Sequence, residues 1–233
     1  MSETNAPQRS EAWFVWRRNK VTASNLGALL GCCPYTSQSE AVERARGNSA
    51  FAGNVATEWG MANEPVAIAE YTRRTGHVVT ETGAHMHPNH PWLLGSPDGL
   101  VGSDGIIEVK CPYYFRGSAG KRRRVHADIP LTYLLQCLVL LEILDRAWCD
   151  FVSWAPEGTA IYRLRAQPTL MKRLLPVAKE MHRVITGESE KLVVPEPAVM
   201  QLLRDVEADR EYWAHKLINL QEPTPPPSPS EKF

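Results

Sequence analysis

The sequence predicts an α/β protein in which helices flank a central mixed β-sheet. Three observations predict it. Apolar residues recur at helical spacing from residue 10 to 75, short strand-like segments replace that period between 78 and 110, and a nearly all-apolar segment, Leu131 to Leu144, precedes further strands and helices.

Ser10 to Arg18 reads as a short helix offering Trp13, Phe14 and Trp16 for packing. Thr22 or Ser24 caps a second helix that runs through Leu30 and stops at Gly31 and Pro34. Ser37 to Arg46 forms a third. From Gly53 to Thr75, Val55, Trp59, Ala62, Val66 and Ala69 mark an amphipathic helix. Within it Pro65 either makes a kink or stands in a first turn after Asn63. The period then changes. Val78-Val79 and Trp92 to Leu94 read as strands. Gly99 to Val101 and Ile106 to Lys110 flank Gly102-Ser103-Asp104-Gly105, a hairpin signal. Leu131 to Leu144 is apolar nearly all round, as a buried helix should be. Ala147 to Trp154 and Ala160 to Arg165 read as strands, and Pro168 to Gly187 and Pro197 to Leu220 as helices. The Pro-rich residues 222–230 fit neither helix nor central strand. One domain is therefore expected over 9–220, with flexible tails at 1–8 and 221–233.

The chain has 233 residues, enough for one sizeable core but crowded for two. The longest apolar run, Leu131 to Leu144, holds Tyr133, Gln136 and Glu142 and is too short to span a bilayer. Met1 to Glu11 is polar and lacks the pattern of a secretion signal. Cys32, Cys33, Cys111, Cys137 and Cys149 make no CxxC pair and no even framework. They read as reduced thiols in a cytoplasmic or nuclear compartment. Lys+Arg and Asp+Glu balance at 26 each, so a nucleic-acid partner requires locally concentrated positive charge. Arg17-Arg18 with Lys20, Arg73-Arg74 and Lys121-Arg122-Arg123-Arg124 offer it, although each is equally an ordinary solvated surface.

The chemistry gathers at Ser96-Pro97-Asp98-Gly99 and, after nine intervening residues from Asp98, Glu108-Val109-Lys110. With Ser103-Asp104 as a two-residue turn, Asp98 falls nearly opposite Val109, close to Glu108 and Lys110. Strand alternation puts Glu108 and Lys110 on one face and Val109 in the core. Two neighbouring carboxylates repel unless a cation lies between them, and hard oxygen ligands suit Mg²⁺ or Mn²⁺. Lys110 can polarise an attacking water or stabilise charge growing on a phosphate. The bland alternative is a surface hairpin carrying a Glu–Lys pair. Ile106, Ile107 and Val109 oppose it, because they mark a core strand where charge needs a reason to sit.

Pro97-Asp98…Glu108-Val109-Lys110 matches the PD-(D/E)xK nuclease signature. The wider pattern resembles the phage lambda exonuclease and YqaJ-type viral recombinase family. The resemblance rests on Arg17 with Val21-Thr22-Ala23-Ser24, Trp59-Gly60…Glu64, Ser96-Pro97-Asp98-Gly99-Leu100, Glu108-Val109-Lys110-Cys111-Pro112 and Tyr133…Gln136. It covers roughly residues 13 to 155. It implies a restriction-endonuclease-like core and a catalytic set of Asp98, Glu108, Lys110 and Glu64. The implied metal ligands are Asp98, Glu108, the Val109 backbone carbonyl and Glu64, holding two Mg²⁺ ions, with Mn²⁺ an alternative. Pro65 has no counterpart in that pattern and loosens the placing of Glu64. Arg17, Ser24, Ser96 and Gln136 correspond to a pocket for the 5′-phosphate of a DNA end, where a forked cation, hydroxyls and an amide suit the anion. Lys121 to Arg124 is a candidate for DNA backbone contacts. His85, His87 and His90 lie in a Pro- and Asn-containing segment that reads as a solvated loop, outside the site.

The activity implied is a Mg²⁺-dependent 5′-to-3′ exonuclease on linear double-stranded DNA, serving recombination beside a single-strand annealing protein. A structure- or sequence-selective endonuclease and a non-cleaving DNA-binding module are the alternatives. The resemblance carries both a homotrimer, as in phage relatives, and a monomer, as in relatives from viruses of animals. No membrane is expected as a partner.

Overall fold

The computed structural model describes residues 7–49, 53–113, 125–193 and 197–208. The expected tails, except Pro7 and Gln8, lie outside those residues, as do Lys121 to Arg124 and the last expected helix beyond Ala208.

Helix α1 (Glu11–Arg17) starts at Ser10, whose hydroxyl accepts the Trp13 N–H. It fully buries none of its residues, and Phe14, expected to pack, is 60% exposed. Strand β1 (Val21–Thr22) leads directly into α2 (Ala23–Leu29). Of the two candidate caps, Thr22 takes the role, and Asn25 returns a bond to the Thr22 backbone. Helix α3 (Gln38–Arg46) repeats that reciprocal cap with Ser37 and Glu40 and ends at Gly47 in the left-handed conformation.

Helix α4 (Val55–Thr75) contains Pro65 in its interior, not in a first turn. The expected stripe is also displaced. Ala67 and Tyr71, four apart, are the residues it buries, while Val55 and Val66 are exposed. The sheet meets only the C-terminal half of α4, so the N-terminal half keeps apolar residues in water.

Five strands form one mixed sheet in the order β2 (Val79–Thr80), β5 (Gly99–Val101), β6 (Gly105–Lys110), β7 (Trp148–Ala155), β8 (Gly158–Arg165). Only β6 and β7 run parallel. Helix α5 (Leu131–Leu144) makes the crossover between them. A second, three-stranded sheet, which the sequence did not announce, has the order β1, β4 (His90–Gly95), β3 (His85–His87). The three histidines expected in a loop therefore flank a hairpin, and His87 is 6% exposed, not solvated. Two strands of two and three residues are too short to carry a period, and Trp92, Leu93 and Leu94 supply the apolar surface that holds them.

Helix α6 (Pro168–Thr186) and α7 (Pro197–Ala208) join α2, α3 and α5 on one side of the five-stranded sheet, around Leu26, Leu134, Leu138, Phe151 and Leu174. The other side is smaller: Ala67 and Tyr71 of α4 meet Val101, Ile107, Val109, Val152 and Ile161. Each fully buried aliphatic or aromatic side chain contributes roughly 1.5–3 kcal/mol. The β5–β6 hairpin differs from expectation by one residue. Val101 pairs with Gly105, so the turn is Gly102-Ser103-Asp104, with Gly102 at φ 56. Gly99 pairs with Ile107, and the same register carries Asp98 opposite Glu108, not opposite Val109.

One buried ion pair fixes α4 to the sheet. Asp150 on β7 is 0% exposed, accepts two bonds from Arg163 at 2.7 and 2.8 Å, and accepts the Tyr71 hydroxyl at 2.7 Å. Asp150→Ala strands the Arg163 charge and the Tyr71 hydroxyl, so urea denaturation is expected to show a loss of about 3–5 kcal/mol. A loss within the range of an ordinary surface substitution would refute that role.

Candidate metal centre and phosphate pocket

The register just described assembles the site at the edge where β5 begins and β6 ends. Ile107 and Val109 point toward α4, so Ile106, Glu108 and Lys110 share the opposite face beneath α5. Asp98, in the turn leading into β5, accepts the Val109 N–H through Oδ2 at 2.7 Å. Glu108 is 1% exposed. Its Oε1 accepts from Gln136 Nε2 of α5 at 2.6 Å and from the Lys110 ammonium. Its Oε2 is buried and, among the described residues, has no hydrogen-bond partner.

The electrostatics follow from this crowding. Burial, then the charge of Glu108, pushes the Asp98 carboxyl well above its ordinary range, against the pull of Lys110. Burial likewise raises Glu108, with Lys110 opposing. Burial alone would lower Lys110, but the charges of Glu108 and Asp98 prevail and hold its ammonium above the ordinary value. Lys110 also lies 5.0 Å from the centre of the Tyr133 ring. Burial, then the charges of Glu64 and Asp98, pushes the Cys111 thiol up to about 12.

These residues fit a hard divalent cation. Two buried carboxylates repel each other beside Lys110, both raised by their surroundings, and among the described residues the Oε2 atom of Glu108 is buried without a donor. Among the described residues no three His, Cys, Asp or Glu side chains converge as a complete cage. Glu64, on α4, acts electrostatically on Asp98 and Glu108, but its Oε2 is paired with Arg9 at 2.6 Å. The His85, His87, His90 group stays outside the site. The His87 ring lies 4.5 Å from that of His90, tilted by 44°, and accepts the Asn89 N–H, as a structural element of its hairpin.

All four residues expected to form a phosphate pocket line a cleft of about 160 Å³ together with Asp98, Glu108 and Lys110. Arg17 donates to Ser24 Oγ at 2.6 Å and Thr22 Oγ1 at 3.2 Å. Its guanidinium lies 4.1 Å from the Trp13 ring centre, and burial lowers its pKa to about 10, leaving it charged at neutral pH. Ser24 sits inside the first turn of α2, with Thr22 as the cap. The Ser96 hydroxyl donates to the Gly83 carbonyl at 3.2 Å. Gln136 spends one amide hydrogen on Glu108, so it belongs to the carboxylate cluster and the pocket wall at once.

Gln8, Arg9, Trp13 and Tyr133 also border these groups; the sequence offered Trp13 only for packing and Tyr133 only as part of the resemblance, and it singled out neither Gln8 nor Arg9. Trp13 was findable, because it stands four residues before Arg17 on a helix. Gln8 and Arg9 carried no periodic signal.

Residues 12–146 match the YqaJ-like viral recombinase domain family. Among solved structures, an alkaline exonuclease from Laribacter hongkongensis is 27% identical with a TM-score of 0.57, over 84% of this chain and 97% of that one. The same exonuclease in complex with dAMP gives 26% and 0.57. A phage-related exonuclease from Haemophilus somnus, 18% identical with a TM-score of 0.50 over 73% and 96% of the two chains, shares the fold. A protein of Acanthamoeba polyphaga mimivirus is 23% identical over 159 residues, 63% of this chain, and the match spans 29% of that protein's length.

The raised Asp98 carboxyl sets a pH dependence. Its folded-state pKa exceeds its unfolded value, so its destabilising contribution is absent below the unfolded value and fully present above the folded one. In EDTA, wild type is therefore expected to lose stability relative to Asp98→Asn as pH rises above the ordinary aspartate value of about 4, until the raised carboxyl has ionised. Adding Mg²⁺ should reverse the order, since binding stabilises only the folded wild type. Parallel urea curves across pH would overturn the assignment.

Proposed function

The chain belongs to the YqaJ-like viral recombinase domain family, and on that premise we propose that it is a Mg²⁺-dependent exonuclease. It degrades one strand of linear double-stranded DNA, 5′ to 3′, from 5′-phosphorylated ends, in recombination by strand annealing. The observation that carries this reading is one cleft shared by a carboxylate–lysine cluster and an arginine–serine pocket. A nuclease needs the first, and preference for a strand end needs the second.

Asp98, Glu108 and the Val109 carbonyl would hold the metal, with Glu64 completing the acidic set. Two Mg²⁺ ions held there would lower the pKa of a bound water and neutralise charge on the phosphodiester. Arg17 holds the terminal phosphate through its planar fork, kept in plane by Trp13 and by its bonds to Ser24 and Thr22. Ser24, Ser96 and the remaining amide hydrogen of Gln136 add donors to that anion. Lys110, charged and directed by Glu108 and the Tyr133 ring, orients the attacking water and stabilises the developing negative charge. Gln136 couples the steps by touching both the Glu108 carboxylate and the pocket wall. The basic Lys121-Arg122-Arg123-Arg124 segment contacts the DNA backbone, and linear duplex, an annealing protein and further copies of the chain as a homotrimer are the partners in this reading.

Incubation with Mg²⁺ and matched linear or closed circular duplex tests the direction of attack: linear DNA should vanish while circles persist, and rapid loss of circles sinks the exonuclease reading. Asp98→Ala and Lys110→Ala should each lower cleavage by at least about 10²-fold with DNA binding retained. Arg17→Ala should abolish the preference for a 5′-phosphate over a 5′-hydroxyl end. An unchanged preference removes Arg17 from the pocket.

A further inference from the structure

The segment before α1 reaches over the cleft and has no part in the chemistry described so far. Gln8 Nε2 donates to the carbonyl of Pro97, the residue before Asp98, at 2.8 Å. Arg9 Nη2 pairs with Glu64 Oε2 at 2.6 Å. Both side chains line the cleft with Arg17 and the carboxylate cluster. Arg9 holds φ 66, a left-handed backbone that a long side chain rarely adopts, and it does so where its guanidinium reaches Glu64.

Two features make that pairing temporary. The Arg9 and Glu64 side chains are 45% and 21% exposed, and ion pairs this open contribute little. Glu64 is also the one carboxylate of the acidic set drawn off by a cation from outside it, and among the described residues no complete three-ligand cage forms. A divalent ion at Asp98 and Glu108 attracts Glu64 more strongly than a half-solvated guanidinium does. Arg9 then stands at the mouth of an anion pocket with its fork free. Arg9 and Arg17 line the same cleft, so a DNA end whose terminal phosphate sits at Arg17 enters a space that Arg9 also borders.

Resting on the metal-dependent nuclease reading above, we propose that Arg9 is a second DNA-phosphate-binding residue of the cleft, held by Glu64 until a divalent cation takes that carboxylate. The exchange gives opposite signs in two measurements. Arg9→Gly removes the guanidinium and relieves the left-handed backbone, so its effects are those of lost charge.

In calorimetric titration with Mn²⁺ alone, Arg9→Gly should bind several-fold more tightly than wild type, because nothing competes for Glu64. In a Lys110→Ala background that blocks cleavage, binding of a 5′-phosphorylated duplex with Mn²⁺ present is followed by fluorescence anisotropy against salt. Arg9→Gly should weaken binding and reduce the slope of log K on log salt by about 0.9, the value of one phosphate contact. Arg9→Lys should restore the slope. An unchanged slope, or Mn²⁺ affinity equal to or below wild type, overturns the proposal. Failure of the wild type itself to bind Mn²⁺ overturns the metal reading first, and the two failures are thus distinguishable.

Discussion

A carboxylate buried at Glu108 is the constraint around which the cleft is organised. Moving an ion from water into a protein interior costs several kcal/mol even after relaxation, and the cost is offset only by partners of good geometry. Among the described residues Glu108 has two of them on one oxygen, Lys110 along its own strand and Gln136 from the crossover helix, and none on the other. Asp98 and Glu108 repel each other electrostatically. The arrangement is the one that the proposed divalent cation would balance. A fold stabilised for its own sake would place an aliphatic residue at 108, as it does at 106 and 107.

The two halves of the cleft come from parts of the chain far apart in sequence, and α5 brings them together. Its buried apolar surface fixes it between the sheet and the helices α2 and α6, so the direction of Gln136 is set by core packing. Tyr133, one turn earlier, meets the ammonium of Lys110. A helix chosen for burial therefore delivers both a contact to the acid and a contact to the cation. On the far wall, Arg17 is aligned by Trp13 one turn before it and by two hydroxyls after it, which explains how a residue on a solvent-facing helix keeps a defined direction.

What could be read from the sequence follows the strength of local signals. Helices α2 and α3 were legible from their local caps and α5 and α6 from their apolar residues, and α5 matched its expected bounds. The Asp98, Glu108, Lys110 cluster was legible because charged residues interrupt an apolar strand. Strands β1 and β3 were not, since neither is long enough to show alternation and both depend on β4 for their place. The stripe of α4 was misread because periodicity says which residues share a face, not how far along the helix the neighbouring sheet extends. Arg9 was invisible: its role comes from a backbone turn and a partner 55 positions away, and only the folded chain sets them side by side.

The turn at Gly102-Ser103-Asp104 has an odd count of residues, and that parity acts as a reading frame for the edge that carries Asp98 and Glu108. Strand β6 is locked on its other side to β7, so it has no freedom to slide. Re-pairing the same residues around a two-residue turn would join Gly102 to Gly105, move β5 by one step of about 3.3 Å along β6 and seat Asp98 across from Val109. Because side chains alternate, that slip would also turn the buried faces of β5 over, so core packing and the placing of Asp98 are guarded by the same turn.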